Sequence, residues 1–247
     1  MEPLLHIKDL HGGYTHKNVL HGVSFDVNPK EIVGLIGLNG AGKSTTIKHI
    51  IGMMQAKKGR VAINGTLFED NPEVYRQQLG YIPEMPILYD ELTLYEHLHL
   101  TAMAYNVPED VFKRRLDPLL KEFRMEKKLK WFPVHFSKGM RQKVMIMCAF
   151  LIEPDLYIVD EPFVGLDPLG IQSYLQLMDE MKERGAGILM STHILATAEK
   201  YCDRFVILHD GEIRAKGTLK ELREAFGKPG ASLDEIYVQL TKEERYD

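Results

Sequence analysis

The sequence predicts an α/β fold in which a mostly parallel sheet is joined to an antiparallel β subdomain and interrupted by an inserted helical subdomain. Three patterns lead there. Short apolar runs at Ile32–Ile36, Leu156–Val159, Gly187–Met190 and Phe205–Leu208 are separated by helical stretches, as strands buried on both faces are. Residues 4–30 instead alternate apolar and polar positions, which suits half-solvated antiparallel strands. From about Pro83 to Glu153 the chain turns helical and rich in Leu, Lys and Glu, punctuated by Pro86, Pro108, Pro118 and Pro133.

In chain order, Leu4-Leu-His-Ile-Lys-Asp-Leu10 and Val23-Ser-Phe-Asp-Val27 are the alternating strands. Glu31-Ile-Val-Gly-Leu-Ile36 is a short buried strand, and a helix starts at Lys43. Between them lies the run Gly37, Leu38, Asn39, Gly40, Ala41, Gly42, Lys43, Ser44 and Thr45, a complete G-x-x-x-x-G-K-[ST] phosphate-binding loop. Its glycines let successive backbone N–H groups face one anion, and the helix N-terminus adds partial positive charge. Lys43 can reach the β- and γ-phosphates, and the Ser44 hydroxyl can ligate a shared magnesium ion. The motif implies a nucleoside-triphosphate site, and with it a P-loop NTPase core.

Further along, Arg60-Val-Ala-Ile63 runs into an Asn64-Gly65 turn. Leu92 to Leu100 begins a helix capped by Thr93, with Leu94, Leu98 and Met103 as its core stripe. Ser137 is a natural N-cap for a helix through Val144–Leu151. Leu156-Tyr-Ile-Val ends in Asp160 and Glu161, followed by Pro162. There Asp160 can hold magnesium and Glu161 can serve as general base, or the pair can be a plain acidic turn. Gly165-Leu166-Asp167-Pro168 reads as a turn, and Leu189-Met-Ser-Thr-His193 as a strand ending in a histidine. His209-Asp-Gly-Glu212 makes a hairpin turn into Ile213–Lys216. The tail beyond Thr218 is charged, helical and accessory in character.

Together these segments resemble the ATP-binding cassette (ABC) ATPases, from the strand around Leu5 to about Lys220. Around Tyr81-Ile-Pro-Glu84 and Trp131-Phe-Pro133 the likeness is to the bacterial Ecs-type ATP-binding subunits. The resemblance implies one domain: 1–82 and 154–220 as the ATPase lobe, 83–153 as the helical subdomain, and 221–247 as the accessory tail. It implies that Tyr14 stacks on adenine and that Ser137, Gly139 and Met140 belong to a signature motif facing the γ-phosphate on an opposite subunit. It also implies that Asp167 lies in the D-loop, that His193 senses the γ-phosphate, and that Glu84 joins Ser44 and Asp160 around magnesium. ATP is then sandwiched in a homodimer or paired cassette, and a membrane subunit docks near Ile87, Leu88 and Tyr89.

Two positions depart from the family pattern. Phe136-Ser-Lys-Gly-Met140 stands for the usual Leu-Ser-Gly-Gly-Gln, so Lys138 either adds charge near the nucleotide or is solvated. Glu84 stands for the usual glutamine, which keeps an oxygen ligand and adds negative charge beside Asp160 and Glu161. The departures leave room for a second reading, a regulatory ATP sensor with little turnover. An acceptor-binding phosphotransferase fits less well, because the signature helix and Glu161 stand where a lid is needed.

Composition narrows the classes. A net charge of −4 over 247 residues and a pI near 6.2 argue against nucleic acid as the main partner. Two cysteines, Cys148 and Cys202, read as reduced thiols in a cytoplasmic chain rather than a disulfide framework. Met1–Ile7 lacks the pattern of a signal peptide, and Val144–Ile152 is too short to span a bilayer, which needs roughly 20 residues. The expected location is the cytoplasm, peripheral on the inner face of the cell membrane. The sequence leaves the transported substrate and its direction open.

Overall fold

The computed structural model describes residues 2–14 and 17–242, with only the backbone of Thr241 and Lys242; Met1 and the tail's end, 243–247, lie outside the described residues. Strands β1 (Leu5–Gly12), β2 (Leu20–Val27), β4 (Lys58–Ile63) and β5 (Thr66–Leu67) form an antiparallel sheet ordered β2-β1-β4-β5. A second sheet is ordered β10-β9-β3-β8-β7-β6. Its members are β3 (Ile32–Ile36), β6 (Leu79–Ile82), β7 (Leu156–Asp160), β8 (Gly187–Thr192), β9 (Arg204–His209) and β10 (Glu212–Gly217). Only the β10–β9 pair is antiparallel; the other four pairings are parallel.

The central strands are apolar up to their carboxyl ends because each of their faces packs on a different core. Tyr157 and Val159 of β7, with Ile188 and Met190 of β8, face the cluster shared with the helical lobe. Leu156, Ile158 and Leu189 face the opposite cluster, together with Val33 and Leu35 of β3 and the inward residues of the antiparallel sheet. Successive strand residues point to opposite faces, so a two-faced strand reads as an unbroken apolar run.

Helix α1 (Lys43–Ile50) follows the phosphate loop, and α2 (Pro72–Gln77) precedes β6. The helical lobe holds α3 (Leu94–Ala104), α4 (Glu109–Phe123) and α5 (Lys138–Ile152). Helix α3 opens with a capping box: Thr93 and Glu96 satisfy each other's backbone donors. Leu94 and Leu98 are fully buried, but Met103 is 62% exposed and Ala102 takes the inward position. From Leu98 the i+4 step of a helix lands on residue 102, so the expected stripe was one residue out at its end. Pro118 does not interrupt the lobe as the sequence suggests; it lies inside α4, whose buried face of Phe112, Leu116, Leu119, Leu120 and Phe123 outweighs one lost backbone bond.

An ion triad ties this lobe to the ATPase lobe. Glu153, just past α5, accepts from Arg115 of α4 at 2.5 Å and from Arg184 at 2.9 Å. Arg184 closes α6 (Pro168–Glu183). Both cysteines are free and half-buried, and burial pushes their thiols up, to about 11 for Cys148 and about 12 for Cys202.

Helices α7 (Leu195–Tyr201), α8 (Leu219–Ala225) and α9 (Leu233–Lys242) are the last among the described residues. The tail read from its sequence as accessory has a core of its own: Leu233, Ile236 and Tyr237 pack with Ile36, Leu195, Phe205 and Ile207. Among the described residues no helix is long and apolar enough to cross a membrane.

Candidate functional site

The chemically distinctive residues gather at the carboxyl ends of the parallel strands, where open α/β sheets bind ligands. Ile36 of β3 runs into Gly37, β7 ends at Asp160, β8 ends one residue before His193, and β6 ends two before Glu84. Parallel pairing sets Ile36 beside Thr192 and Asp160 beside Ser191, so three strand ends are in register.

The phosphate loop is built by backbone conformation. Gly40 has φ +89° with open space around it, so glycine is needed there for the left-handed backbone and not for room. Leu38, Asn39, Gly40 and Ser44 are exposed, whereas Ala41, Gly42, Lys43 and Thr45 are buried. Lys43 folds back on its own loop, donating to the Gly37 carbonyl at 2.7 Å and the Leu38 carbonyl at 3.4 Å. Burial lowers the Lys43 pKa from its ordinary value, while the charges of Glu161, Asp160 and Glu84 push it back up. One turn along α1, Lys48 donates to the Tyr14 hydroxyl at 2.8 Å, and the Tyr14 ring is half-exposed beside the loop helix.

Adjacent Asp160 and Glu161 are both buried, at 8% and 7% exposure. Burial raises the Asp160 pKa, and the neighbouring charges of Glu161 and Glu84 add to that rise. Glu161 departs from the strand with φ +48°, in the left-handed region costly for a side chain of its size. That turn aims its carboxylate at the end of β8. There it accepts from Thr192 Oγ1 at 3.1 Å, from the His193 backbone N–H at 3.0 Å and from His193 Nδ1 at 2.6 Å. Three donors on one carboxylate hold it oriented. A nucleotide-binding cleft with a positioned carboxylate can activate water against a phosphoryl group.

A second group of expected residues lies at the starts of α5 and α6. Ser137 caps α5, its Oγ accepting from the Met140 N–H at 3.2 Å. Lys138 is exposed, in keeping with the solvated reading, with its stem lying along Gly165. Gly139 is required by close approach, since a Cβ there would sit 2.5 Å from the Gly165 carbonyl oxygen. Asp167 caps α6 through the Gly170 N–H at 3.1 Å and pairs with Lys143 of α5 at 3.2 Å. The start of α5 and the segment before α6 are thus knitted together within one chain.

Sequence reasoning did not single out Thr192, Lys143 or Gln142. Gln142, fully buried on α5, donates to the Pro83 carbonyl at 3.2 Å and links that helix to the segment carrying Glu84. Thr192 was legible in principle as the hydroxyl at a strand end beside a histidine. The segment expected to dock a partner divides: Ile87 and Tyr89 are 79% and 64% exposed, whereas Leu88 packs against the helical-lobe core.

The residues present fit a magnesium ion. Ser44, Asp160 and Glu84 offer the hard oxygen donors that ion prefers. Among the described residues no group of three His, Cys, Asp or Glu could hold a metal unaided, so phosphate oxygens and water would complete its shell.

Comparison with known proteins agrees with this geometry. The family model described as ABC transporter matches residues 20–164. The chain is 66% identical over 241 residues to the ABC-type transporter ATP-binding protein EcsA of Bacillus subtilis (strain 168), covering 98% of each. It is 44% identical over 246 residues to the uncharacterized ABC transporter ATP-binding protein YthP of the same organism, covering 99% of this chain and 100% of the relative. A solved structure described as the ATP binding subunit of an ABC transporter matches with TM-score 0.95 at 65% identity, over 96% of this chain and 99% of the other. Identity of this degree along nearly the whole length decides the matter: the chain belongs to the ABC transporter family, as an ATP-binding subunit with ATPase activity.

Proposed function

We propose that two copies of this chain close head to tail around two Mg-ATP and drive a separate membrane subunit of an exporter-type system. The observation that carries the reading is the start of α5. Ser137 is exposed there, at the N-terminus of a 15-residue helix, and the helix is fastened to the D-loop instead of to its own phosphate loop. A helix N-terminus of this kind suits an anion, and the γ-phosphate held by the opposite subunit supplies one. Two-fold, isologous pairing then builds each site from the Gly37–Thr45 loop of one copy and Ser137, Gly139 and Met140 of the other. Tyr14 flanks the adenine, Asp167 links the two sites, and Ser44, Asp160 and Glu84 would hold magnesium.

In the catalytic step Glu161 takes the proton of the attacking water. His193, its partner here, shares that carboxylate until the γ-phosphate draws the imidazole away. Lys43 leaves the Gly37 carbonyl for the phosphates. The ion supplies charge neutralisation on the transferring group. The reading predicts that magnesium-dependent turnover per protomer rises with protein concentration until dimers saturate. Turnover per protomer independent of concentration across the range in which the chain is monomeric overturns it in favour of the ATP-sensor reading.

The membrane partner is placed on the helical subdomain, 83–153, and holds the protein peripherally on the inner face of the membrane. Ile87 and Tyr89 present apolar surface in a loop, as a docking groove does. Leu88 supports the loop from beneath. Substituting Ile87 and Tyr89 together by Ser is expected to abolish co-purification with the membrane subunit at unchanged ATP affinity. Retained co-purification would move the docking surface elsewhere. The exporter assignment rests on the Ecs-type likeness.

A further inference from the structure

We propose that Tyr237 is a positioning residue for the phosphate loop, which makes the C-terminal helix α9 part of the nucleotide-binding machinery. Its hydroxyl accepts a hydrogen bond from the backbone N–H of Leu38, the second residue of the loop, at 3.1 Å across 199 positions of sequence. The Tyr237 ring is 4% exposed, packed with Ile36 at the end of β3 and with Phe205 and Ile207 of β9. The Leu38 side chain is 55% exposed and so contributes little burial of its own to hold the loop. What fixes residue 38 is backbone hydrogen bonding, with Tyr237 on its N–H and Lys43 Nζ on its carbonyl.

The far end of α9 is equally fastened. The Leu233 N–H donates to Glu199 Oε2 at 2.7 Å, and Arg223 of α8 reaches the same carboxylate at 3.7 Å while donating to the Ala231 carbonyl at 2.7 Å. Glu199 belongs to α7, which starts two residues after His193. Helix α9 therefore bridges the phosphate loop and the helix that follows His193.

A glycine-rich loop must be ordered before its N–H groups converge on a phosphate, and ordering costs affinity. A hydrogen bond that holds the loop in place beforehand lowers that cost. The inference concerns ATP binding by one chain and does not depend on the dimer.

The test is Tyr237→Phe, which removes the hydroxyl and keeps the ring. Tyr105→Phe is its comparator, since the Tyr105 hydroxyl also bonds the backbone, donating to the Leu79 carbonyl at 3.0 Å outside the phosphate loop. For Tyr237→Phe, the Kd and KM for Mg-ATP are expected to rise about fivefold, as loss of one hydrogen bond gives, with kcat at saturation within about twofold. Tyr105→Phe is expected to leave Kd and KM unchanged and to lower the melting temperature at least as much. An unchanged Kd in Tyr237→Phe, or a fall in kcat that tracks the melting temperature in both variants, overturns the proposal.

Discussion

Replacing Glu161 by Gln is expected to lower ATP turnover by roughly 10²- to 10⁴-fold, the contribution of a positioned general base. ATP affinity is expected to stay within a few-fold of the parent. The substitution keeps the side chain's shape and one carbonyl oxygen for the His193 donors, while its amide NH2 can donate to Thr192 Oγ1, whose hydroxyl donates to the second carboxylate oxygen in the parent. What disappears is the negative charge that takes a proton. With hydrolysis blocked, ATP should remain in the composite site and the variant should accumulate as a dimer, visible by light scattering with Mg-ATP. A variant that keeps more than a tenth of the parent turnover would show that another group activates the water.

The second large effect is expected at Lys43. Its ammonium lies among Glu161, Asp160 and Glu84, whose charges raise its pKa against the effect of burial. Changing it to Met removes the charge-assisted bonds to phosphate, which lowers affinity roughly 10- to 100-fold. The loss should fall at the upper end of that range. Without the ammonium, the carboxylates present an uncompensated negative field to a triphosphate that is itself anionic. Titration calorimetry with Mg-ATP measures this directly, and an affinity within threefold of the parent would contradict the placement of Lys43 on the phosphates.

Much of the site was legible because its chemistry dictates residue type at fixed spacing. A phosphate needs glycines, a lysine and a hydroxyl in one turn, and a buried strand that stops on two carboxylates needs a reason to do so. Fold class was legible for a related reason: strands with two buried faces read as apolar runs, and Leu156–Asp160 and Gly187–Thr192 are buried at every residue and polar only at their carboxyl ends. Tyr237 was not legible. Its partner lies on the other side of the molecule's sequence, and nothing local distinguishes it from any tyrosine on an amphipathic helix. The Arg115–Glu153–Arg184 triad is hidden in the same way. Helix α2 and strand β6 escaped because they are only 6 and 4 residues long, too short to display a period. The Asn71-Pro72 pair, an N-cap followed by proline in the first turn, was the one local mark of α2. Glu161 carried a further concealed property, since a left-handed glutamate cannot be read from residue type.

The insertion of the helical lobe has a consequence for the order in which the chain folds. Strands β6 and β7 are hydrogen-bonded neighbours, yet all of residues 83–155 lies between them. Closing a flexible loop costs about 0.6 kcal/mol more for each doubling of its length, and the cost falls before any pairing rewards it. Helices α3 to α5 bury one another through contacts local to the lobe. Once they have done so, the long excursion becomes a compact body whose ends already lie near each other. Strand β6, at the edge of the sheet, therefore docks after the lobe that separates it from its neighbour. The segment that carries Glu84 is among the last parts of the ATPase lobe to reach its place.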